Sequence, residues 1–295
     1  MKVVMLMMMS ISSTVAYATD DATVGDCSTG DAPGTFDDEP CSDLCEVLVD
    51  GLGLNNVVCY TEVGSSTQGS TAYAVYNYPG EAHPTFSVWG IDGAGDSFCC
   101  FIDDPDNQVW WFELQGVDAE DDFLALQNYS HSMENPSSGA FVARAYGFGG
   151  DDYIDGSLED HAEFKDYLFG GDDSDEIWSS GGSDRISGES GPDELHGEGG
   201  DDIIRGGGSN DLLYGEGGTN LLCGGGASPS GSPDYFYGLG GANTFWELYH
   251  GASPTPVGSV VGSLTHCGDT SWGSSWASGC TYDVSSSPSS CTLGW

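Results

Sequence analysis

The sequence predicts an all-β protein: a parallel β-roll or β-helix solenoid, with a small disulfide-bonded N-terminal cap and a Cys-containing C-terminal cap. Three observations predict it. From Gly147 to Trp246 the chain repeats as eight nines and two fourteens, with one Asp/Asn column and one apolar column that never break. The chain is rich in glycine, 46 residues of 295, and these cluster as turn signals between short apolar runs. Ten cysteines fall in two groups, six up to Cys100 and four from Cys223 onward, so covalent staples are available at both ends of the repeats.

Charge narrows the class of partner. Asp plus Glu number 47 against 5 Lys plus Arg, a formal net charge of -42. Nucleic acid requires a basic surface and is excluded; anionic membranes are disfavoured for the same reason. Acidity alone would also suit a disordered or halophilic chain. Against disorder stand 38% hydrophobic and 12% aromatic residues, enough to fill a core. Carboxylates on a foldable chain point to bound cations.

Residues 1–18 read as a signal peptide. Met1 and Lys2 precede an apolar stretch, Val3 to Val15, and Ala16-Tyr17-Ala18 fits the small-x-small cleavage rule. The stretch is short for a membrane span and no second spanning run follows. The expected location is secreted, extracellular or at the cell surface, with the mature chain starting at Thr19.

Residues 19–84 read as a Cys-containing cap. Cys27, Cys41, Cys45, Cys59, Cys99, Cys100, Cys223, Cys267, Cys280 and Cys291 all lie beyond the signal, an even number suited to disulfides in an oxidising compartment. Cys99 and Cys100 are adjacent; on a strand they point to opposite faces and take different partners. No CxxC pair or Cys/His cluster offers a zinc site. Within the cap, 41–50 after Pro40 and before Gly51 reads as a short helix, and TAYAVYNY, 71–78, as a strand. Residues 85–146 read as degenerate β-helix coils, since VWGIDGAGDSF and FELQGVDAEDDFLAL each set apolar residues around a Gly/Asp turn.

The repeat array occupies 147–246. From Gly170 the nines are GGDDSDEIW, SSGGSDRIS, GESGPDELH, GEGGDDIIR, GGGSNDLLY and GEGGTNLLC. Position six is Asp175, Asp184, Asp193, Asp202, Asp211 and Asn220; position eight is Ile177, Ile186, Leu195, Ile204, Leu213 and Leu222. GFGGDDYID adds Asp152 and Ile154, and GLGGANTFW adds Asn243 and Phe245. Units of 14 residues ending DYLF and DYFY add Asp166 with Leu168, and Asp234 with Phe236. Glycines in positions one to five supply turn backbone at positive φ, which other residues enter only at a cost. Positions seven to nine form a short strand with position eight facing inward. Two nonapeptides make one coil, so position six stacks along two edges.

The pattern G-G-x-G-x-D-x-U-x resembles the calcium-binding repeats of the RTX (haemolysin-type) family. The resemblance covers about a third of the chain and implies a β-roll holding several Ca2+ ions, each shared between successive loops on one edge. It implies metal ligands at Asp152, Asp175, Asp193, Asp211 and Asp234 on one edge, and at Asp166, Asp184, Asp202, Asn220 and Asn243 on the other. Backbone carbonyls of Gly170, Gly171, Gly188, Gly197, Gly206 and Gly215 would complete the sets. The two terminal amides, Asn220 and Asn243, make the last sites of the second edge the weakest.

Outward position nine on one face is Asp155, Trp178, His196, Tyr214 and Tyr237, a mostly aromatic ladder. It reads first as cross-strand stacking and second as a docking face (Trp178, His196, Tyr214, Tyr237) for glycan or a surface protein. Residues 247–295, rich in Ser, Gly and Trp, read as the C-terminal cap that an open solenoid end needs.

No catalytic motif is present: neither HExxH nor GxSxG occurs, and the six His residues have no ligand spacing. The expected function is that of a secreted calcium-binding protein with a structural, surface or adhesive role, not an enzyme. The alternatives are a secreted hydrolase with an unrecognised catalytic region in 19–146, and an extracellular calcium buffer or matrix protein.

Overall fold

The computed structural model describes residues 23–26, 41–49, 55–62, 67–77, 85–103, 109–118, 120–128, 142–156, 165–227, 235–237, 244–246, 259–260 and 281–282. The expected signal peptide, Asp234, Asn243, Cys27, Cys267, Cys280 and Cys291 lie outside these residues.

The first elements are β1 (Thr23–Asp26), α1 (Cys41–Leu44), β2 (Cys45–Val49), β3 (Asn55–Tyr60), β4 (Thr71–Asn77), β5 (Thr85–Ile91) and β6 (Ser97–Asp103). Then come β7 (Val109–Gln115), β8 (Phe123–Asn128), β9 (Val142–Gly149), β10 (Tyr153–Asp155), β11 (Lys165–Asp172), β12 (Glu176–Trp178), β13 (Gly181–Gly182), β14 (Arg185–Ser190) and β15 (Glu194–His196). The last are β16 (Gly199–Gly200), β17 (Ile203–Ser209), β18 (Leu212–Tyr214), β19 (Leu221–Ala227), β20 (Tyr235–Tyr237), β21 (Thr244–Trp246), β22 (Ser259–Val260) and β23 (Thr281–Tyr282). The described residues are all-β apart from the four residues of α1.

Two large sheets form. The first runs β1-β6-β5-β4-β8-β10-β12-β15-β18-β20-β22, the second β2-β3-β7-β9-β11-β14-β17-β19-β21-β23. From β7 onward the chain lays strands on the two sheets in turn, every new strand parallel to the one before it on that sheet. One circuit takes 18 residues in the central repeats. Its register matches the apolar column residue for residue: Ile154, Ile177, Leu195, Leu213 and Phe236 are consecutive partners on the first sheet. Leu168, Ile186, Ile204, Leu222 and Phe245 are consecutive partners on the second.

Position eight of the described repeats is the core. Ile154, Leu168, Ile177, Ile186, Leu195, Ile204, Leu213 and Leu222 are all 0% exposed. They belong to one cluster that continues through Ala145, Leu124, Leu114 and Val88 to Leu44 and Cys41. Alternation does this: strand neighbours face opposite sides, so only the period-two subset reaches the interior.

The N-terminal region departs from two expectations. The helix expected over 41–50 stops at Leu44, and Cys45–Val49 is a strand paired antiparallel with β3. Its alternating burial, with Cys45 buried and Glu46 exposed, and its β-branched Val47 suit a pleated surface better than a helix. The segment 85–103 is antiparallel too: β5 pairs with β4 on one side and β6 on the other, so parallel circuits begin only with β7 and β8. The strand expected at 71–78 is β4. The residue-84 line between cap and coils falls in the connection from β4 to β5, within one sheet.

Cys41 bonds Cys100 and Cys45 bonds Cys59. Cys99 is also disulfide-bonded, and Cys41 is already taken by Cys100, so the adjacent pair does divide its partners. Cys223 is buried, disulfide-bonded, and packed with Leu221 in a small cluster apart from the main core. Peptide mapping of the unreduced protein is expected to join Cys223 to Cys267, Cys280 or Cys291, pinning the tail to the second sheet. A link from Cys223 to Cys27 would refute that arrangement.

Candidate metal centre

Each repeat turns between sheets on five residues, and the backbone there has a fixed rhythm. Position two takes positive φ at Phe148, Gly171, Ser180, Glu189, Glu198, Gly207 and Glu216. Position four does so at Gly150, Asp173, Gly182, Gly191, Gly200, Ser209 and Gly218. Position one does not, and its glycine has a different cause. A Cβ at Gly147, Gly170, Gly188 or Gly206 would strike the position-six carboxylate of the same repeat. Positive φ is thus confined to two of the five positions, and position one is kept bare at these four glycines to seat the aspartate, whereas Ser179 stands there in the repeat of Asp184.

The position-six side chains form two ladders. On one edge Asp122, Asp152, Asp175 and Asp193 each donate their backbone N–H to the Oδ1 of the next, ending on Asp211, at 2.8–3.1 Å. On the other, Asp166, Asp184 and Asp202 do the same, ending on Asn220, at 2.8–2.9 Å. All of these side chains are buried. The predicted stacking into two edges is the observed one for every described member.

One carboxylate oxygen per repeat is therefore bonded, and the other is the chemical problem. Oδ2 of Asp152, Asp175, Asp193 and Asp202 is buried without a hydrogen-bond donor. Backbone oxygens border the same spots. The Cβ position at Gly147 is 2.7 Å from Gly170 O, that at Gly188 is 2.8 Å from Gly206 O, and that at Gly197 is 3.2 Å from Gly215 O. Carboxylate and carbonyl oxygens thus lie close together with no other group donating a hydrogen bond between them, and ionising a carboxyl there is costly. Burial pushes Asp152, Asp193 and Asp202 up to about 7, Asp175 to about 8 and Asp184 to about 9. In Asp175 and Asp184 neighbouring column carboxylates add to the rise.

The donor set fits a hard cation. Calcium takes carboxylate and carbonyl oxygens in flexible geometry, and these are the groups each turn presents. Among the described residues no three carboxylate, imidazole or thiol side chains converge on one point. The carboxylates stand one per repeat, so the remaining ligands would come from the backbone. Of the glycines expected to lend carbonyls, Gly170, Gly206 and Gly215 stand beside Asp152, Asp193 and Asp202. Gly197 O accepts the Ser179 hydroxyl at 2.9 Å; Gly171 and Gly188 occupy positions two and one of their turns.

Asp122 was not anticipated. It extends the first ladder upstream, but Oδ1 accepts Ser70 N–H and Oδ2 accepts Val117 N–H, both at 2.5 Å. The signal was the string DDFL at 121–124, alike to DDYI at 151–154 and DDII at 201–204. One extra residue between Gly116 and Asp122 hides it from a strict nine-residue reading.

The aromatic ladder is real. Trp178, His196, Tyr214 and Tyr237 stack in succession with centroids 3.6, 4.3 and 4.4 Å apart and nearly parallel planes. His196 Nδ1 and Nε2 face Glu216 at 3.1 Å and Glu194 at 3.3 Å. Inner rings spend their faces on one another.

Parallel circuits, two stacked aspartate edges and bare glycine turns define a class: repeat proteins whose turns offer oxygen ligands to a cation. A family model for the RTX calcium-binding nonapeptide repeat matches the chain in four copies, over residues 144–160, 163–195 and 196–228. The chain carries RTX calcium-binding repeats. Neither the curated proteins nor the solved structures contain a match to it.

Proposed function

We propose that this is a secreted protein whose repeats form a calcium-dependent parallel β-roll, and that it serves a structural or adhesive role at a surface rather than a catalytic one. The observation that carries the reading is the row of buried Oδ2 atoms at Asp152, Asp175, Asp193 and Asp202, each without a donor. Calcium binding to the folded form alone would stabilise it by mass action. Several ions are expected, held by the position-six aspartates with backbone carbonyls.

Export is supported by the disulfides Cys41–Cys100 and Cys45–Cys59, which persist in oxidising surroundings. A non-catalytic role is supported by the use made of the described residues in 41–128: most are strand, and their buried side chains build the shared core. The ring ladder on the first sheet stiffens that face. Its inner rings are covered on their faces by one another, which favours this over a platform for a glycan.

The test is amide hydrogen exchange of the full chain in calcium and in chelator near pH 8. Protection of residues 150–227 is expected with calcium and is expected to fall by orders of magnitude without it. Equal protection in both would sink the reading.

A further inference from the structure

One turn of the second edge is closed by an amide rather than a carboxylate, and its bonding differs. Asn220 Oδ1 accepts Asp202 N–H at 2.8 Å, as Asp202 Oδ1 accepts Asp184 N–H at 2.9 Å. This shared bond places the other terminal atom of each side chain alike. In Asn220 that atom is Nδ2, and it donates to the carbonyl of Gly215 and, at 3.2 Å, to that of Gly217. These are positions one and three of its own turn. In Asp202 the matching atom is Oδ2, which has no donor.

An N–H and a cation meet the same demand. Backbone oxygens pointing inward need positive charge between them, and an amide hydrogen supplies it as fixed partial charge. We propose that the side-chain amide of Asn220 replaces the cation in its turn, so that the loop 215–220 closes without metal and the metal-requiring part of this edge ends at Asp202. Asn220 is then no calcium ligand, although it stands in the ligand column. The inference rests on the calcium reading above and deepens it, by assigning which turns need the ion. Asp122 does the same at the start of the other edge by another route, through two backbone N–H groups. Among the described residues a metal-free turn thus opens the first edge and another closes the second.

The experiment uses the full disulfide-intact chain and three variants: Asn220→Asp, Asp202→Asn and Asp202→Ala. Two quantities are read, calcium ions bound per chain by equilibrium dialysis and the melting midpoint in chelator near pH 8. Asn220→Asp should bind an additional ion and melt lower in chelator. Asp202→Asn should bind fewer ions yet melt higher in chelator, by at least a few degrees. Asp202→Ala should lose the ion without matching that rise, because it removes the charge but brings no amide. The proposal is overturned if Asn220→Asp gains no ion, or if Asp202→Ala rises as far as Asp202→Asn. Should the parent chain bind no calcium at all, the calcium reading fails. A higher midpoint for Asp202→Asn than for Asp202→Ala would then still uphold the amide closure.

Discussion

Gly200→Ala is expected to destabilise the protein severely, while Gly199→Ala, one residue earlier, is expected to stay within about 1 kcal/mol of the parent. Both residues form β16 and pair with β13, so sequence position alone does not separate them. Gly200 sits at φ +129, and a Cβ there would overlap the Gly182 carbonyl oxygen of the circuit above. Gly199 has ordinary φ, and the nearest atom to its Cβ position is Ser180 O at 3.9 Å. A left-handed backbone costs a non-glycine residue roughly 1–3 kcal/mol, and displacing the neighbouring carbonyl adds to that. Asp173 and Ser209 show that position four can carry a side chain, but at φ 76 and 90. Reaching such values from 129 would pull Gly200 out of register with Gly182. Denaturant unfolding in saturating calcium decides it; equal midpoints for the two variants would refute this account of the turn.

In calcium-free buffer, raising the pH from 5 to 9 is expected to melt the repeats. Asp152, Asp175, Asp184, Asp193 and Asp202 hold their protons in the fold up to about 7 to 9. In the unfolded chain aspartates lose them near 3.9. The folded state therefore binds more protons throughout that interval, and stability falls as pH rises. The contribution is fully present below about pH 4 and is gone once the folded values are passed. Calcium binds the ionised form, so its affinity should climb over the same range, with protons released on binding. Hydrogen exchange, corrected for intrinsic rates, separates this from general repulsion in an acidic chain. Residues 150–220 should lose protection, whereas the antiparallel strands of 71–103 should keep theirs. A uniform loss over both regions would contradict the assignment to these carboxylates.

Legibility in the sequence followed the range of the interactions. The Asp/Asn and apolar columns repeat locally every nine residues, so strand positions, core residues and both edges could be read before any coordinates. The N-terminal half could be read only in part: the strand at 71–78 could, but the pairings of β3 with β7 and of β4 with β8, some fifty residues away, could not. The short helix was misjudged in extent because Pro40 and Asp43 mark its start, while the strand that follows is chosen by pairing with Asn55–Tyr60. Glycine has two roles in the turn where the repeat pattern alone suggests one: positive φ, chiefly at position four, and bare space at position one. Asn220 stood in the right column, but only the donor direction of its amide distinguishes a ligand from a substitute for one.

The ladders also have a direction. From Asp122 to Asp202 each position-six backbone N–H is satisfied by the side chain of the repeat one circuit later, as Asp175 N–H is by Asp193. A nascent or translocating chain that emerges N-terminus first therefore always carries one unfinished rung. A rung becomes complete only when the next circuit has arrived, eighteen residues later in the central repeats and 30 or 23 at the first two rungs of the first edge, so closure trails the moving end by a circuit. Force applied to the finished molecule on the N-terminal side of the Cys223 disulfide meets the same asymmetry in reverse: lifting one strand bares the rung before it, and the repeats unzip stepwise toward the Cys41–Cys100 and Cys45–Cys59 bonds.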